Sequence, residues 1–281
     1  MTQRILVFTD LDGTLLDHHS YSYEAARPAL EALAERDIPL VIATSKTRAE
    51  VLALRKELGN QQPFVVENGG AVHVPAGYFN FDGAPPEVNV LGVDYAVVRE
   101  AVVAVRERLQ LGDALLGFGD VDAAGVAALT GLALADAALA RQRESSEPLR
   151  VQPGEPRLAE FCEALSAYGL TTKQGGRFLH VQGPVDKAQG LTFVRDCFQK
   201  QYPDCEFVTV ALGDSNNDLG MLQAADVPIV IPPGSSSARR LEVGREDAIL
   251  PSAPGPHGFR QGIETMLSRL SSPARPRKES P

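Results

Sequence analysis

Three observations in the sequence predict an α/β fold, a parallel sheet interrupted by an inserted α+β unit. Apolar runs of strand length alternate with amphipathic helical stretches in both outer parts of the chain. Two of those runs end abruptly in carboxylates. Between residues 81 and 183 the alternation gives way to helices followed by a hairpin.

The first run, Ile5-Leu6-Val7-Phe8, suits a strand at about 4–10 that is buried on both faces. Ala26, Leu30 and Leu33 recur at helical spacing and predict a helix at about 22–36. Strands are expected at about 38–44 and 63–67, with a helix at about 47–58 between them. Asp82-Gly83-Ala84-Pro85-Pro86 has the composition of a linker. Val98, Val102 and Val105 mark an amphipathic helix from Tyr95 to Leu109, and further helices are expected at about 122–130 and 156–168. A hairpin pairs 170–174 with 178–181 across Gly175-Gly176. Gly183-Pro184 marks the return, followed by a helix at about 187–201 and strands at about 207–213 and 227–231. Strands joined by helices imply parallel pairing and right-handed crossovers. The domain plan is therefore 1–80 and 184–270 for the sheet and 81–183 for the insert, with a polar, Pro-rich tail at 271–281 that reads as disordered.

A chain of 281 residues, 44% hydrophobic, is long enough for about two domains. Its net charge of −9 argues against a nucleic-acid binder. No apolar run approaches the ~20 residues of a membrane span. Met1-Thr2-Gln3-Arg4 leads straight into the first strand, without a signal peptide. Cys162, Cys197 and Cys205 are odd in number and lack metal spacing, and Cys162 shares a helical face with Phe161 and Leu165. These features suit a reducing cytoplasm. Oligomeric state is not legible here.

The chemistry lies at the strand ends. Asp10 and Asp12 alternate onto one side where the first run stops, and Gly13 allows a sharp turn. Open α/β sheets place ligands at such carboxyl ends. A second run, Val208 to Leu212, ends in Gly213-Asp214-Ser215-Asn216-Asn217-Asp218, where Asp214 and Asp218 lie one helical turn apart. Converging carboxylates repel one another unless a cation or shared proton intervenes. All-oxygen ligands fit Mg²⁺ better than Zn²⁺.

Asp10-Leu11-Asp12-Gly13-Thr14 together with Gly213 to Asp218 resembles the haloacid dehalogenase (HAD) superfamily of phosphotransferases. Thr44, after the strand Pro39 to Ala43, matches the family's phosphate-binding hydroxyl, and Lys187 matches its phosphate-neutralising lysine. The resemblance implies a Rossmann-like parallel-sheet core with an inserted C2-type α+β cap. It implies that Asp10 is the nucleophile and Asp12 the general acid and base. It further implies a Mg²⁺ held by Asp10, the Asp12 carbonyl and Asp214, with Asp218 as ligand or as orienter of bound water. Asp12 argues against a dehalogenase, which returns no proton, and against an ion-pumping ATPase, which carries Lys there.

Ala43-Thr44-Ser45-Lys46-Thr47-Arg48 and Pro63 to Ala71 are similar to the mannosyl-3-phosphoglycerate phosphatase family. The substrate then implied is a small phosphorylated sugar or glycosyl-glycerate, with no nucleic-acid or membrane partner. Phosphatases of glucosyl-3-phosphoglycerate, sucrose phosphate or trehalose phosphate, and a sugar phosphomutase, are the alternatives. The intact acids and Lys187 argue against a dead phosphate-binding module. Candidate substrate contacts are Ser45, Lys46, Arg48, Asn68, Gly69 and Arg177, the last suited to a carboxylate. His180 reads as a satisfied strand histidine. His18, His19, His73 and His257 form no metal set.

Overall fold

The computed structural model describes residues 2–175, 177–234 and 239–271. The chain opens with β1 (Thr2–Thr9), α1 (Arg27–Ala34), β2 (Leu40–Ala43), α2 (Arg48–Leu58), β3 (Phe64–Val66), β4 (Ala71–His73) and β5 (Val88–Val90). The middle segment holds α3 (Tyr95–Arg108), β6 (Leu115–Gly117), α4 (Ala123–Thr130), α5 (Leu134–Ala140), β7 (Ser146–Val151), α6 (Leu158–Ser166), β8 (Thr171–Gly175) and β9 (Phe178–Gln182). It closes with α7 (Lys187–Gln201), β10 (Cys205–Gly213), α8 (Leu219–Ala224), β11 (Val227–Val230) and α9 (Gly255–Ser271).

Among the described residues the larger sheet runs β11-β10-β1-β2-β3-β4-β5. β11, β10, β1, β2 and β3 pair in parallel. β1 is buried on both faces because helices cover both. Leu6 and Phe8 pack with Leu191 and Val194 of α7 and Met221 of α8. Val7 points the other way, into Leu33 of α1 and Phe259 and Ile263 of α9. Each such side chain removed from water contributes about 1.5–3 kcal/mol.

β4 and β5 depart from the sequence reading. Only four residues separate β3 from β4, too few for the crossover a parallel strand needs, so β4 folds back antiparallel and β5 follows it. The expected linker at 82–86 thus precedes a strand of the larger sheet, and the chain leaves that sheet near Leu91 and Gly92, not at residue 81. Nor did the sequence reading include α9. Ser271, assigned to the tail, is its last residue, while 272–281 lie outside the described residues.

The second sheet, β6-β7-β9-β8, is antiparallel. One of its faces packs Leu149, Leu179 and Val181 against Val98, Val102 and Val105 of α3 and Phe161 of α6. Alternation turns Pro148 and His180, which are register partners, to the opposite face. That face looks across a cavity at the carboxyl end of the larger sheet. No single helix among the described residues is long and apolar enough to cross a membrane.

Candidate active site

β1 and β10 are adjacent and in register, Thr9 opposite Leu212, so the acids following each strand meet. Asp10 is 5% exposed and Asp218 is fully buried. Lys187 is the second residue of an Asp186–Gln189 capping box, which fixes the start of α7. From there its wholly buried side chain reaches 2.6 Å from Asp10 Oδ1 and 2.5 Å from Asp218 Oδ1. Asp218 Oδ2 accepts from the backbone N–H groups of Asp214 and Ser215, at 3.1 Å each. Thr14 Oγ1 lies 3.3 Å from Asp214 Oδ1. Gly13 has φ +81°, and a Cβ there would stand 2.7 Å from Asp214 Oδ2. The close approach of the two acidic loops therefore requires glycine.

One carboxylate oxygen from each of Asp10, Asp214 and Asp218 lies within 4.8 Å of the others. Burial, then the neighbouring Asp218 charge, holds Asp10 well above the usual carboxylate range, although Lys187 opposes this. Burial and Asp218 likewise push Asp214 up to about 7. Burial disfavours the Lys187 ammonium, but Asp10 and Asp218 outweigh it and raise its pKa. With Asp12 included, four carboxylates face the two ammonium groups of Lys187 and Lys46. That surplus, presented by oxygen atoms alone, fits a hard divalent cation.

Asp12 Oδ2 pairs with Lys46 at 3.0 Å, while Oδ1 is buried without a partner. Lys46 also lies 3.7 Å from Glu50, whose carboxylate closes the capping box with Thr47 at the start of α2. Thr44 is fully buried, and its Oγ1 accepts from the Lys46 N–H at 3.2 Å. Asp10, Asp12, Ser45, Lys46, Asp214 and Arg177 line one cavity of about 220 Å³ between the two sheets.

The remaining candidates lie elsewhere or are already engaged. Arg48 is about half exposed and borders a separate cavity beside Arg55 and Phe64 that contains none of the four aspartates. Asn68 is buried, accepting from Asn217 Nδ2 at 3.0 Å and lying 3.4 Å from Gln182. A Cβ on Gly69 would fall 2.1 Å from the Asp186 carbonyl, so this position serves close packing against the start of α7. Neither Asn68 nor Gly69 lines the cavity. His180 is buried, as a strand histidine should be, yet its Nδ1 has no partner and the residue lines the cavity.

The sequence reading missed two residues that face each other across the sheets. Glu67, fully buried at the end of β3, accepts from Glu144 N at 2.7 Å, Ser145 N at 3.0 Å and Ser146 Oγ at 2.7 Å. Arg143, on the loop so held, donates to Ser45 O at 3.2 Å and to Ser146 O at 3.2 Å. A Glu before Asn-Gly-Gly and an Arg in a polar loop carry no periodic signal. The partners of Glu67, and Ser45 for Arg143, are more than seventy residues away.

A family model for haloacid dehalogenase-like hydrolases matches residues 7–81. The chain is 38% identical to the glucosyl-3-phosphoglycerate/mannosyl-3-phosphoglycerate phosphatase of Methanococcoides burtonii, over 94% of this chain and 97% of that protein. It is 36% identical to the phosphatase of the same name from Persephonella marina, over 95% and 98%. The sucrose-phosphatase of Synechocystis sp. PCC6803 shares its fold with a TM-score of 0.62 at 14% identity, over 96% of this chain and 98% of that one. Fold and matches together define a haloacid dehalogenase-like hydrolase with an α+β cap, a phosphoric monoester hydrolase by class. Within that class the chain belongs to the glucosyl-3-phosphoglycerate/mannosyl-3-phosphoglycerate phosphatase family.

Proposed function

We propose that this phosphatase is Mg²⁺-dependent, works through an aspartyl-phosphate on Asp10, and hydrolyses mannosyl-3-phosphoglycerate to mannosylglycerate and phosphate. Glucosyl-3-phosphoglycerate is the close alternative, since the names of both relatives cite both esters. The observation that carries the mechanism is the Asp10 carboxylate beside Lys187 at the end of β1, with an unpartnered oxygen of Asp12 nearby in the same cavity.

Asp10 attacks phosphorus, forming an O–P bond as the bond to the glycerate 3-oxygen breaks. Asp12 gives that oxygen a proton. Lys187 and Thr44 hold the phosphoryl oxygens. Water then attacks the phosphorus, Asp12 takes its proton, and phosphate leaves as Asp10 is restored. Asp10, Asp214 and the Asp12 carbonyl would hold Mg²⁺. Asp218, both of whose oxygens are engaged, orients Lys187 and the Asp214 loop. The chemistry a bound Mg²⁺ supplies is neutralisation of the phosphoryl charge. We place the enzyme in the cytoplasm, where the free Cys162, Cys197 and Cys205 stay reduced.

A phosphate-release screen of glycosyl-3-phosphoglycerates and hexose phosphates, with and without Mg²⁺, tests the substrate. Preference for simple hexose phosphates would overturn it. Asp10→Asn should abolish turnover. Asp12→Asn should slow the sugar ester more than p-nitrophenyl phosphate, whose leaving group needs little protonation. Wild-type rates in both variants would refute the mechanism.

A further inference from the structure

We infer that Arg143 is the specificity-determining residue of this phosphatase: its guanidinium, beside His180 in the cap wall, binds a carboxylate on the leaving group of the ester. The inference rests on the substrate reading above and assigns it to an atom.

The cationic side chains at or beside the cavity differ in how they are engaged. Lys187 is paired with Asp10 and Asp218. Lys46 is paired with Asp12 and Glu50. Arg177, the sequence candidate for this task, is exposed and donates to the Thr130 carbonyl at 2.6 Å. Arg143 differs from each. Its side chain is 3% exposed yet borders the cavity. Its Nε and Nη2 are fixed by the carbonyls of Ser146 and Ser45 and by Ser146 Oγ at 2.5 Å. Glu67 stands 3.5 Å behind it, but spends both oxygens on the backbone and hydroxyls of 144–146. Nη1 has no acceptor among the described residues.

Nη1 is thus the guanidinium nitrogen left to donate to an anion in the cavity. The adjacent His180 strengthens the case. Its Nδ1 is a buried polar atom without a partner. Burial, then Arg143 and Lys187, push its pKa down to about 3, so at neutral pH it adds no positive charge. A fixed Nη1 beside an unpartnered ring nitrogen suits a carboxylate and a neighbouring oxygen. Arg143 also grips the carbonyl of Ser45, next to Thr44, so this wall stands close to the phosphoryl end. A glycerate carboxylate, only a few bonds from its ester oxygen, lies within such a span.

The test compares kcat/KM for mannosyl-3-phosphoglycerate, its carboxamide and mannose 6-phosphate in wild type, Arg143→Met and Arg143→Lys. Wild type should prefer the acid over the carboxamide by about 100-fold, equivalent to about 2.7 kcal/mol. In Arg143→Met the preference should fall below about 5-fold, by loss of the charge-assisted pair. If that variant does not fold, Arg143→Lys carries the test, and its preference should fall at least about tenfold because a shorter, flexible ammonium is not held in place as the anchored guanidinium is. A wild-type preference retained by the folded variant overturns the inference and leaves the substrate reading intact. A wild type that ignores the glycosyl phosphoglycerate but hydrolyses mannose 6-phosphate overturns both.

Discussion

Replacing Lys187 by Met keeps most of the side-chain volume and removes the cation that separates Asp10 from Asp218. At an effective dielectric of about 20, a unit charge pair 2.6 Å apart is worth about 6 kcal/mol before desolvation. Burying the ammonium offsets part of that, and breaking such buried pairs costs about 3–5 kcal/mol. With a urea m-value near 3 kcal/mol/M, the unfolding midpoint at pH 7 without Mg²⁺ should drop by about 1–1.7 M. The deficit should also depend on pH. Asp10 is held above the usual carboxylate range even with Lys187 present, and losing the cation raises it further. A carboxylate with a raised folded pKa costs stability when ionised, and the cost fades as pH falls through that pKa towards the unfolded value near 4. Urea titrations of both proteins between pH 4 and 8 would therefore show curves that converge at the acid end. A deficit under about 1 kcal/mol, or one independent of pH, would refute the view that Lys187 compensates the acids.

Mg²⁺ at about 100 times its Kd should stabilise the wild type by about 2.7 kcal/mol in thermal unfolding, and Asp214→Asn should lose that gain. Gly70→Ala would put a methyl 1.8 Å from Ser145 Oγ, and this overpacking should cost about 2–3 kcal/mol in urea denaturation. Asp120 is held at about 2 by Arg106 and Arg99 although burial opposes this. Its stabilisation, about 1–2 kcal/mol, is present above about pH 4 and lost as pH falls towards 2, so Asp120→Asn should lower stability at pH 7 and match the wild type near pH 2.

Much of the site was legible because its signals are local. An uninterrupted apolar run followed by Asp-x-Asp needs no distant partner to be read, and α7 was placed at 187–201 as observed. What escaped depends on contacts distant in sequence. β4 and β5 have three residues each, and Val88 and Val90 of β5 are exposed, so neither strand shows the alternation of a half-buried strand. α9 is broken up by Gly258 and Gly262, residues that favour turns elsewhere. Here they let the helix approach Ala253 and Ile229 closely. Asn68 and Gly69, candidate substrate contacts at the sheet edge, pack against Asn217 and Asp186. Arg143 and Glu67 gain their meaning only once the two sheets meet.

The grip of Glu67 on residues 144–146 lies next to the crossover, where the Gly70 carbonyl accepts from both Leu91 and Gly92. The cap is therefore fastened along one border, like a book along its spine. Near α5, the Thr47 hydroxyl donates to the Leu139 carbonyl. A body fixed in this way opens by turning about the fastened border.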